Sequence, residues 1–307
     1  MLPPEGGFSI LRCPLWFHKS SHNRIKYGHV LDGNGHARMI FLRSVELRPL
    51  ESRPEIFPFT VPFVKSFEIW NFTKEVTFLA GENGSGKSTF LEILACAIGS
   101  ITVGSQPVRS DPTLVPLREF SDHLKLTWSR KTHHGFFMRA EDFFGYAKKM
   151  AETREGLEQD LAETEKDYRG RSKMAQELAR LPYRRELSAM QDNYGEGLDQ
   201  NSHGEGFIKL FRERFTGPGL YLLDEPETPL SPTRQLTLLA MLKAMVDQGA
   251  QFIIASHSPI LMAYPGAQII GFDGGKMHEE SYDTLEHVVV TKSFLDNPEQ
   301  YLHYLMK

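Results

Sequence analysis

The sequence predicts an α/β fold: a mixed sheet with an antiparallel β flank and an inserted helical lobe. Strand-like segments at residues 219–223, 251–256 and 267–272 alternate with helix-like segments, which is typical of a largely parallel sheet. A glycine-rich loop beginning at residue 81 follows a predicted strand and precedes a predicted helix. Residues 141–191 are rich in Ala, Glu, Lys, Arg, Leu and Met, which indicates two or three helices.

The elements are predicted in chain order from local patterns. Residues 38–50 and 64–70 alternate in polarity and predict strands; since no helical pattern separates them, we expect them to form the antiparallel flank. Further along we expect a strand at 75–80, a helix at 90–98, breaks in the lobe at Gly156, Gly170 and Pro182, helices at 207–215 and 232–247, and a hairpin turn at 273–276. The predicted domains are 1–100 (β flank and glycine loop), 101–200 (helical lobe) and 201–307 (the rest of the core with a C-terminal helix).

Composition excludes several classes of protein. The 307 residues are 40% hydrophobic and 24% charged, as in ordinary globular proteins, which excludes a chain that is disordered or fibrous throughout. The formal net charge of -4 argues against coating nucleic acid through net charge. Two cysteines, Cys13 and Cys96, cannot form a disulfide framework. With no signal-peptide pattern and no apolar run near the ~20 residues of a membrane span, we expect a cytoplasmic protein with no integral membrane segment of its own.

Residues 81–88 fit the phosphate-loop pattern with every fixed position filled. In this pattern the glycines let backbone N–H groups surround a β-phosphate at a helix N-terminus. Lys87 would reach the β- and γ-phosphates and Ser88 would offer its hydroxyl to Mg²⁺. A glycine turn without a ligand is the alternative, which the strand-loop-helix context disfavours. The predicted cofactor-binding residues are Gly81, Asn83, Gly84, Ser85, Gly86, Lys87, Ser88 and Thr89.

Two adjacent carboxylates, Asp224 and Glu225, follow the apolar residues 220–223. A strand end at the carboxyl edge of a parallel sheet is where ligands bind. Asp224 would hold Mg²⁺ directly or through water, and Glu225 would polarise the attacking water. An acidic pair after a strand is also typical of a solvated loop, but beside a complete phosphate loop it favours catalysis.

His257 ends the next predicted strand, where its imidazole could contact the γ-phosphate as a catalytic sensor. A polar cap is the alternative, but this strand end should neighbour that of Asp224. Ser202 and Gly204 precede the helix at 207–215, and by themselves they fit an ordinary N-cap.

The order of these motifs resembles that of ATP-binding-cassette ATPases. The resemblance is closer to the soluble branch that contains SMC, Rad50 and RecF-like proteins and small stand-alone ATPases of the AAA_21 type. It implies a P-loop NTPase fold, ATP and Mg²⁺ as cofactors, and hydrolysis of ATP to ADP and phosphate. It also implies that Ser202 and Gly204 belong to a signature motif that contacts the γ-phosphate on the other subunit of a homodimer, with two ATP molecules between the subunits.

Three departures from the family pattern affect these expectations. His203 replaces the usual small residue of the signature, Pro229 stiffens the loop that follows Glu225, and the expected Q-loop glutamine is missing. Gln106 comes early for that role, and Glu141 is an alternative candidate. These departures bear on how a bound nucleotide would be coupled to the helical lobe.

The resemblance leaves the biological role open. The first hypothesis is a switch, driven by ATP-dependent dimerisation, that acts on DNA or an effector protein in genome maintenance or phage defence. The alternatives are the ATPase subunit of a membrane transporter and a nucleotide-dependent binding module with negligible turnover. Residues 12–48 hold seven Lys or Arg against two acids, which fits either a DNA-contacting face or a solvated edge. Opposite charge on the two halves of the lobe, 141–165 and 166–186, favours antiparallel helices that pair within the chain.

Overall fold

The structure, a computed structural model, describes residues 30–31, 37–102, 108, 110–194 and 203–306. Its strands are β1 (Val30–Leu31), β2 (Ala37–Arg38), β3 (Leu42–Leu47), β4 (Ile69–Asn71), β5 (Val76–Ala80), β6 (Leu124–Trp128), β7 (Phe137–Arg139), β8 (Leu220–Asp224), β9 (Gln251–Ala255), β10 (Gln268–Asp273) and β11 (Lys276–Glu280). Its helices are α1 (Pro62–Ser66), α2 (Lys87–Ile98), α3 (Val115–Ser121), α4 (Ala140–Asp167), α5 (Lys173–Tyr194), α6 (His203–Arg214), α7 (Pro232–Asp247), α8 (Pro259–Met262), α9 (Glu286–Asp296) and α10 (Pro298–Leu305).

A six-stranded mixed sheet forms the centre of the molecule. The strands lie in the order β11, β10, β5, β9, β8, β7. Neighbours from β10 to β7 are parallel, and β11 joins the edge through an antiparallel hairpin with β10, as the turn at 273–276 predicts. The parallel strands end at one edge of the sheet, so the loops that follow β5, β8 and β9 lie close together.

Both faces of this sheet are covered, because successive residues of the central strands enter two different hydrophobic clusters. On β5, Phe78 belongs to a cluster with α6 and α7, whereas Leu79 belongs to a cluster with α1, α2 and α3. Every residue of β5, β8 and β9 is buried, as expected for a sheet with helices on both sides. Three phenylalanines spaced four residues apart in the helix predicted at 207–215 belong to the first cluster. Their ring centroids are 4.5 Å apart for Phe207 and Phe211 and 4.6 Å for Phe211 and Phe215.

The predicted antiparallel flank is confirmed as a three-stranded sheet in the order β4, β3, β6. A buried side chain joins it to the central sheet. The Oε1 atom of Gln251, the first residue of β9, accepts hydrogen bonds from the backbone N–H groups of Phe41 and Leu42, both at 2.9 Å. Its Nε2 atom donates to the Leu42 carbonyl at 3.0 Å. These hydrogen bonds fix the flank to the start of β9, at the edge of the central sheet opposite the glycine loop.

The strand predicted at residues 64–70 is wrong over its first half. Residues Pro62–Ser66 form α1, and β4 begins at Ile69. Pro62 lies in the first turn of α1, where its missing N–H would have no helical partner. Phe63 packs edge-on against Phe90 of α2, with 5.8 Å between ring centroids. Burial against α2 therefore decides the local conformation, and the alternating sequence pattern does not reveal that contact.

The predicted helical lobe consists of two helices, α4 and α5, which pack antiparallel as the charge pattern predicts. Arg180 Nε lies 3.2 Å from Glu165 Oε1 across the two helices. The chain reverses at Gly170, whose φ of 97° is in the left-handed region. The breaks predicted at Gly156 and Pro182 are wrong, because Gly156 lies inside α4 and Pro182 lies inside α5. Packing against α4 stabilises α5 although Pro182 lacks one backbone donor.

The segment 101–200 holds more than helices. It contributes β6 to the flank and β7 to the central sheet, and the helices of the lobe begin only at Ala140. The division of the chain at residues 100 and 200 stays a prediction. Within the described residues, no helix combines the length and the apolar character that crossing a membrane requires.

Candidate nucleotide-binding site

The glycine loop connects β5 to α2, as predicted. Gly86 precedes the first residue of α2 with φ 104°, a conformation that side chains other than glycine rarely adopt. A Cβ atom there would lie 2.6 Å from the Phe63 ring. The loop therefore requires glycine at this position both for its backbone conformation and for its approach to the core.

Lys87 is held inside the loop. Its side chain is buried, with 4% exposure, and its Nζ atom donates to the carbonyls of Gly81 and Glu82, each at 2.8 Å. Burial lowers the pKa of Lys87, and the nearby carboxylates of Glu225 and Asp224 oppose that shift. The ammonium group is therefore poised at the loop with acceptors that a phosphate oxygen can replace.

Asp224, the last residue of β8, faces the start of α2. Its Oδ1 atom accepts a hydrogen bond from Ser88 Oγ at 3.1 Å. Burial raises the pKa of Asp224 to about 7, although the Ser88 hydrogen bond acts in the opposite direction. A hydroxyl and a buried carboxyl side by side are hard oxygen donors, so this pair fits Mg²⁺.

Glu225 and His257 lie beside this pair. Glu225 has φ 49°, an uncommon conformation for a residue with a side chain, and its N–H donates to the Ala255 carbonyl at 2.9 Å. Its Oε1 atom is 3.7 Å from His257 Nε2, too far for a hydrogen bond. Burial first and then Lys87 lower the pKa of His257, whereas Glu225 opposes them.

The structure thus brings together side chains that lie up to 170 residues apart in the sequence. The candidates that meet at the carboxyl edge of the sheet are Lys87, Ser88, Asp224, Glu225 and His257. The other loop candidates, Asn83, Gly84, Ser85 and Thr89, are in the same loop or the first turn of α2.

Sequence reasoning gave no role to Glu227. Its Oε1 atom accepts hydrogen bonds from Ser256 Oγ at 2.8 Å and from the His257 N–H at 2.6 Å. Burial raises the pKa of Glu227, and these hydrogen bonds oppose the shift. Glu227 therefore ties the segment after β8 to the segment after β9. Its closeness in sequence to Glu225 was the available signal, and that closeness does not specify which groups it contacts.

A second bridge runs parallel to the first. Ser258 Oγ donates to Gln235 Oε1 at 2.6 Å, and Gln235 Nε2 donates to the Leu230 carbonyl at 3.2 Å. Both bridges connect the two loops that carry Glu225 and His257. The relative position of these two side chains is therefore set by hydrogen bonds between loops.

Buried polar atoms without a partner concentrate at this site. Six buried side-chain atoms lack a hydrogen-bond partner in the part of the chain that the structure describes. Four of them belong to residues around the loop: Ser85 Oγ, Glu227 Oε2, His257 Nε2 and His287 Nε2. Since buried polar groups are normally paired, such a cluster indicates a site that receives a polar ligand.

Several candidates are not brought into the site. Ser202 and Gln106 lie outside the described residues, and so do four of the seven basic residues of the segment 12–48, namely Arg12, Lys19, Arg24 and Lys26. Gly204 is the second residue of α6. Glu141 has an exposed side chain beside Arg139. Arg139, which sequence reasoning missed, ends β7 opposite Asp224 and lies 2.7 Å from Glu92 of α2.

The fold and this site define a P-loop ATPase domain of the ATP-binding-cassette type. The chain belongs to the AAA_21 family, described as "AAA domain, putative AbiEii toxin, Type IV TA system", which matches residues 103–263. A second family, AAA_23, described as an AAA domain, matches residues 61–134. These matches confirm the family resemblance that the motif order predicts.

Curated relatives include macrolide export ATP-binding/permease proteins MacB. The protein from Hahella chejuensis is 25% identical over 223 residues, covering 71% of this chain and 31% of its own length. MacB 1 from Yersinia pestis bv. Antiqua is 24% identical over 226 residues, covering 72% of this chain and 32% of its own. The chain thus spans about a third of the length of these relatives.

Solved structures with a similar fold come from two groups. An Smc head bound to the C-winged helix domain of ScpA is 14% identical with a TM-score of 0.46, covering 79% of this chain and 98% of that one. An ATP-binding cassette of an ABC transporter in its ADP conformation is 14% identical with a TM-score of 0.40, covering 87% and 99%.

Proposed function

We propose that the protein binds ATP with Mg²⁺ and hydrolyses it to ADP and phosphate. The observation that carries the proposal is the Ser88–Asp224 hydrogen bond, which joins the phosphate loop to the acidic strand end beside His257. Phosphoryl transfer requires this combination of phosphate binding, cation binding and a group that orients water. The unpartnered polar atoms around the loop support a ligand at the same place.

The loop residues bind the phosphates in this proposal. Backbone N–H groups of residues 81–86 surround the β-phosphate at the N-terminus of α2, and Thr89 lies in the first turn of that helix. Lys87 exchanges its two carbonyl partners for phosphate oxygens. The protein thereby replaces hydration of the triphosphate by fixed donors, which orients it for reaction.

Ser88 and Asp224 would hold Mg²⁺, since both are oxygen donors at the strand edge. A cation held there would neutralise negative charge on the phosphate oxygens. Asp224 needs such a partner, because burial otherwise favours its protonated form.

Glu225 and His257 would act on the reacting end of ATP. Glu225 orients a water molecule and accepts a proton from it while the water oxygen bonds to the γ-phosphorus and the bond to the bridging oxygen of ADP breaks. His257 donates a hydrogen bond to the γ-phosphate. Glu227 holds the His257 backbone in place by accepting a hydrogen bond from its N–H.

A binding titration tests the nucleotide site. Lys87→Ala removes the buried cation and should weaken ATP binding by about 100-fold or more. Lys243→Ala, which alters an exposed lysine on α7, is the matched control and should bind like the parent. ATP binding in Lys87→Ala at parental affinity would contradict the proposal.

We also propose that ATP joins two copies of the chain, with Ser202 and Gly204 of one copy at the γ-phosphate of the other. The support is the family to which the chain belongs and the position of Gly204 at the start of α6. In a Glu225→Gln background, millimolar ATP and Mg²⁺ should convert monomer to dimer in light scattering. Adding Ser202→Arg should prevent this by placing bulk and charge at the interface. Equal dimerisation of both proteins would refute the assignment.

The biological role proposed first is a cytoplasmic switch that acts on DNA or an effector protein. Similarity to about a third of the macrolide export ATP-binding/permease proteins MacB favours a second candidate, the ATPase subunit of a transporter. ATPase activity with and without duplex or single-stranded DNA, together with proteins that co-purify, distinguishes them. Stimulation by DNA or a bound effector supports the first role, and recovery of an integral membrane partner supports the second.

A further inference from the structure

His287 brings the C-terminal helices to the phosphate loop. It is the second residue of α9, and neighbouring Leu285 and Val288 are both buried in the hydrophobic cluster beside α6 and α7. These two anchors fix the start of α9 against the core. The imidazole between them in sequence is half-buried.

The ring of His287 faces a cavity that it shares with the phosphate loop. The cavity measures about 560 Å³, and its lining includes residues 81–83 together with His257 and His287. The two imidazole centroids are 6.4 Å apart, with an angle of 64° between the ring planes. Both Nε2 atoms are buried without a hydrogen-bond partner. Two histidines from different elements therefore present unsatisfied nitrogen atoms beside one loop.

Lys87 is a cation near the two histidines, because its charge lowers the pKa of each. Burial, then His257 and Lys87, lower the pKa of His287, whereas Asp273 opposes them. Four carboxylates line the cavity, those of Glu82, Asp273, Glu280 and Glu286, so an anion is favoured beside Lys87 and the histidines and disfavoured in the rest of the cavity. A terminal phosphate near Lys87 would supply acceptors for the histidine nitrogens, because imidazole can donate from a ring nitrogen.

We propose that His287 is a second phosphate-contacting histidine, which hydrogen-bonds the terminal phosphate of a bound nucleoside triphosphate alongside His257. The inference rests on the proposed function, because it uses the same nucleotide. It adds a regulatory connection: α9 joins α10 through Asn297, so the contact links the terminal phosphate to the last two helices. ADP lacks that phosphate and does not make this contact.

The test compares binding of a non-hydrolysable ATP analogue and of ADP, each with Mg²⁺, by the parent, His287→Ala, His287→Gln and His303→Ala. His303 is an exposed histidine on α10 and serves as the matched control. Losing one charge-assisted hydrogen bond should weaken analogue binding by His287→Ala about 10-fold and leave ADP binding within about 2-fold. His287→Gln, which retains a donor, should fall between the parent and His287→Ala.

Hydrogen exchange supplies a second readout that does not depend on affinity. At saturating ligand, the amides of α9 in the parent should exchange more slowly with the analogue than with ADP, and His287→Ala should lose that difference. Equal weakening of both ligands, or parental discrimination in His287→Ala with the exchange difference intact, would overturn the inference. If the parent itself binds neither nucleotide, the proposed function fails as well, so the two failures are distinguishable. Thermal unfolding without nucleotide verifies that each variant is folded.

Discussion

Replacing Glu227 by alanine removes the acceptor that joins the two catalytic loops. Two donors, Ser256 Oγ and the His257 N–H, lose their partner, and Ser256 is fully buried. A donor left unsatisfied in a buried place costs about 1–3 kcal/mol, so we expect the free energy of unfolding to fall by about 2–4 kcal/mol. Because the His257 backbone is no longer held, ATP hydrolysis should also slow about 10-fold or more.

Two further variants separate the hydrogen bonds from other effects of the substitution. Glu227→Gln keeps an acceptor oxygen and should cost about 1 kcal/mol or less. Glu68→Ala alters an exposed glutamate and should leave stability within about 0.5 kcal/mol of the parent. Urea unfolding gives the three free energies. If Glu227→Ala is as stable as Glu68→Ala and hydrolyses ATP at the parental rate, the bridge between the loops does not hold His257.

Two other substitutions and one chemical modification have defined outcomes. Gly86→Ala should lower the free energy of unfolding by about 1–3 kcal/mol and weaken ATP binding, because its Cβ atom meets a phenylalanine ring at 2.6 Å; unchanged urea unfolding would contradict this. Arg139→Ala leaves the half-buried Glu92 carboxylate unpaired and should cost about 1–3 kcal/mol, which adding Glu92→Gln should partly restore in a double-mutant cycle. Burial raises the pKa of Cys96 to about 11, so in a Cys13→Ser chain its thiol should react with iodoacetamide at pH 8 about 100-fold more slowly than a free thiol; equal rates would show that Cys96 is accessible.

The parts of the site that sequence could predict are those that local pattern specifies. The phosphate loop needs glycines and Lys87 at fixed spacing, and the strand before it and the helix after it are both visible as local patterns. The placement of Asp224 beside Ser88 follows from the edge rule for parallel strands. The helix at 232–247 was predicted at the bounds that the structure gives, because Pro232 and Gly249 mark its ends.

The remaining parts depend on contacts that spacing does not encode. Residues 62–66 form a helix because Phe63 is buried against α2, and Pro182 remains helical because α5 packs along α4. The strands at Leu124–Trp128 and Phe137–Arg139 were not predicted, since each is short and is defined by its neighbours in a sheet. His287 was missed because it belongs to an ordinary helix pattern, and only the tertiary fold brings it near the loop.

Phosphate release under steady-state conditions tests the central claim most directly. With saturating ATP and Mg²⁺, the parent should release phosphate continuously. Glu225→Gln should bind ATP with parental affinity, but its rate of phosphate release should be lower by about 100-fold or more. Glu68→Gln, with its exposed side chain, is the matched control and should match the parent. Turnover by Glu225→Gln at the parental rate, or no release by the parent, would contradict the account.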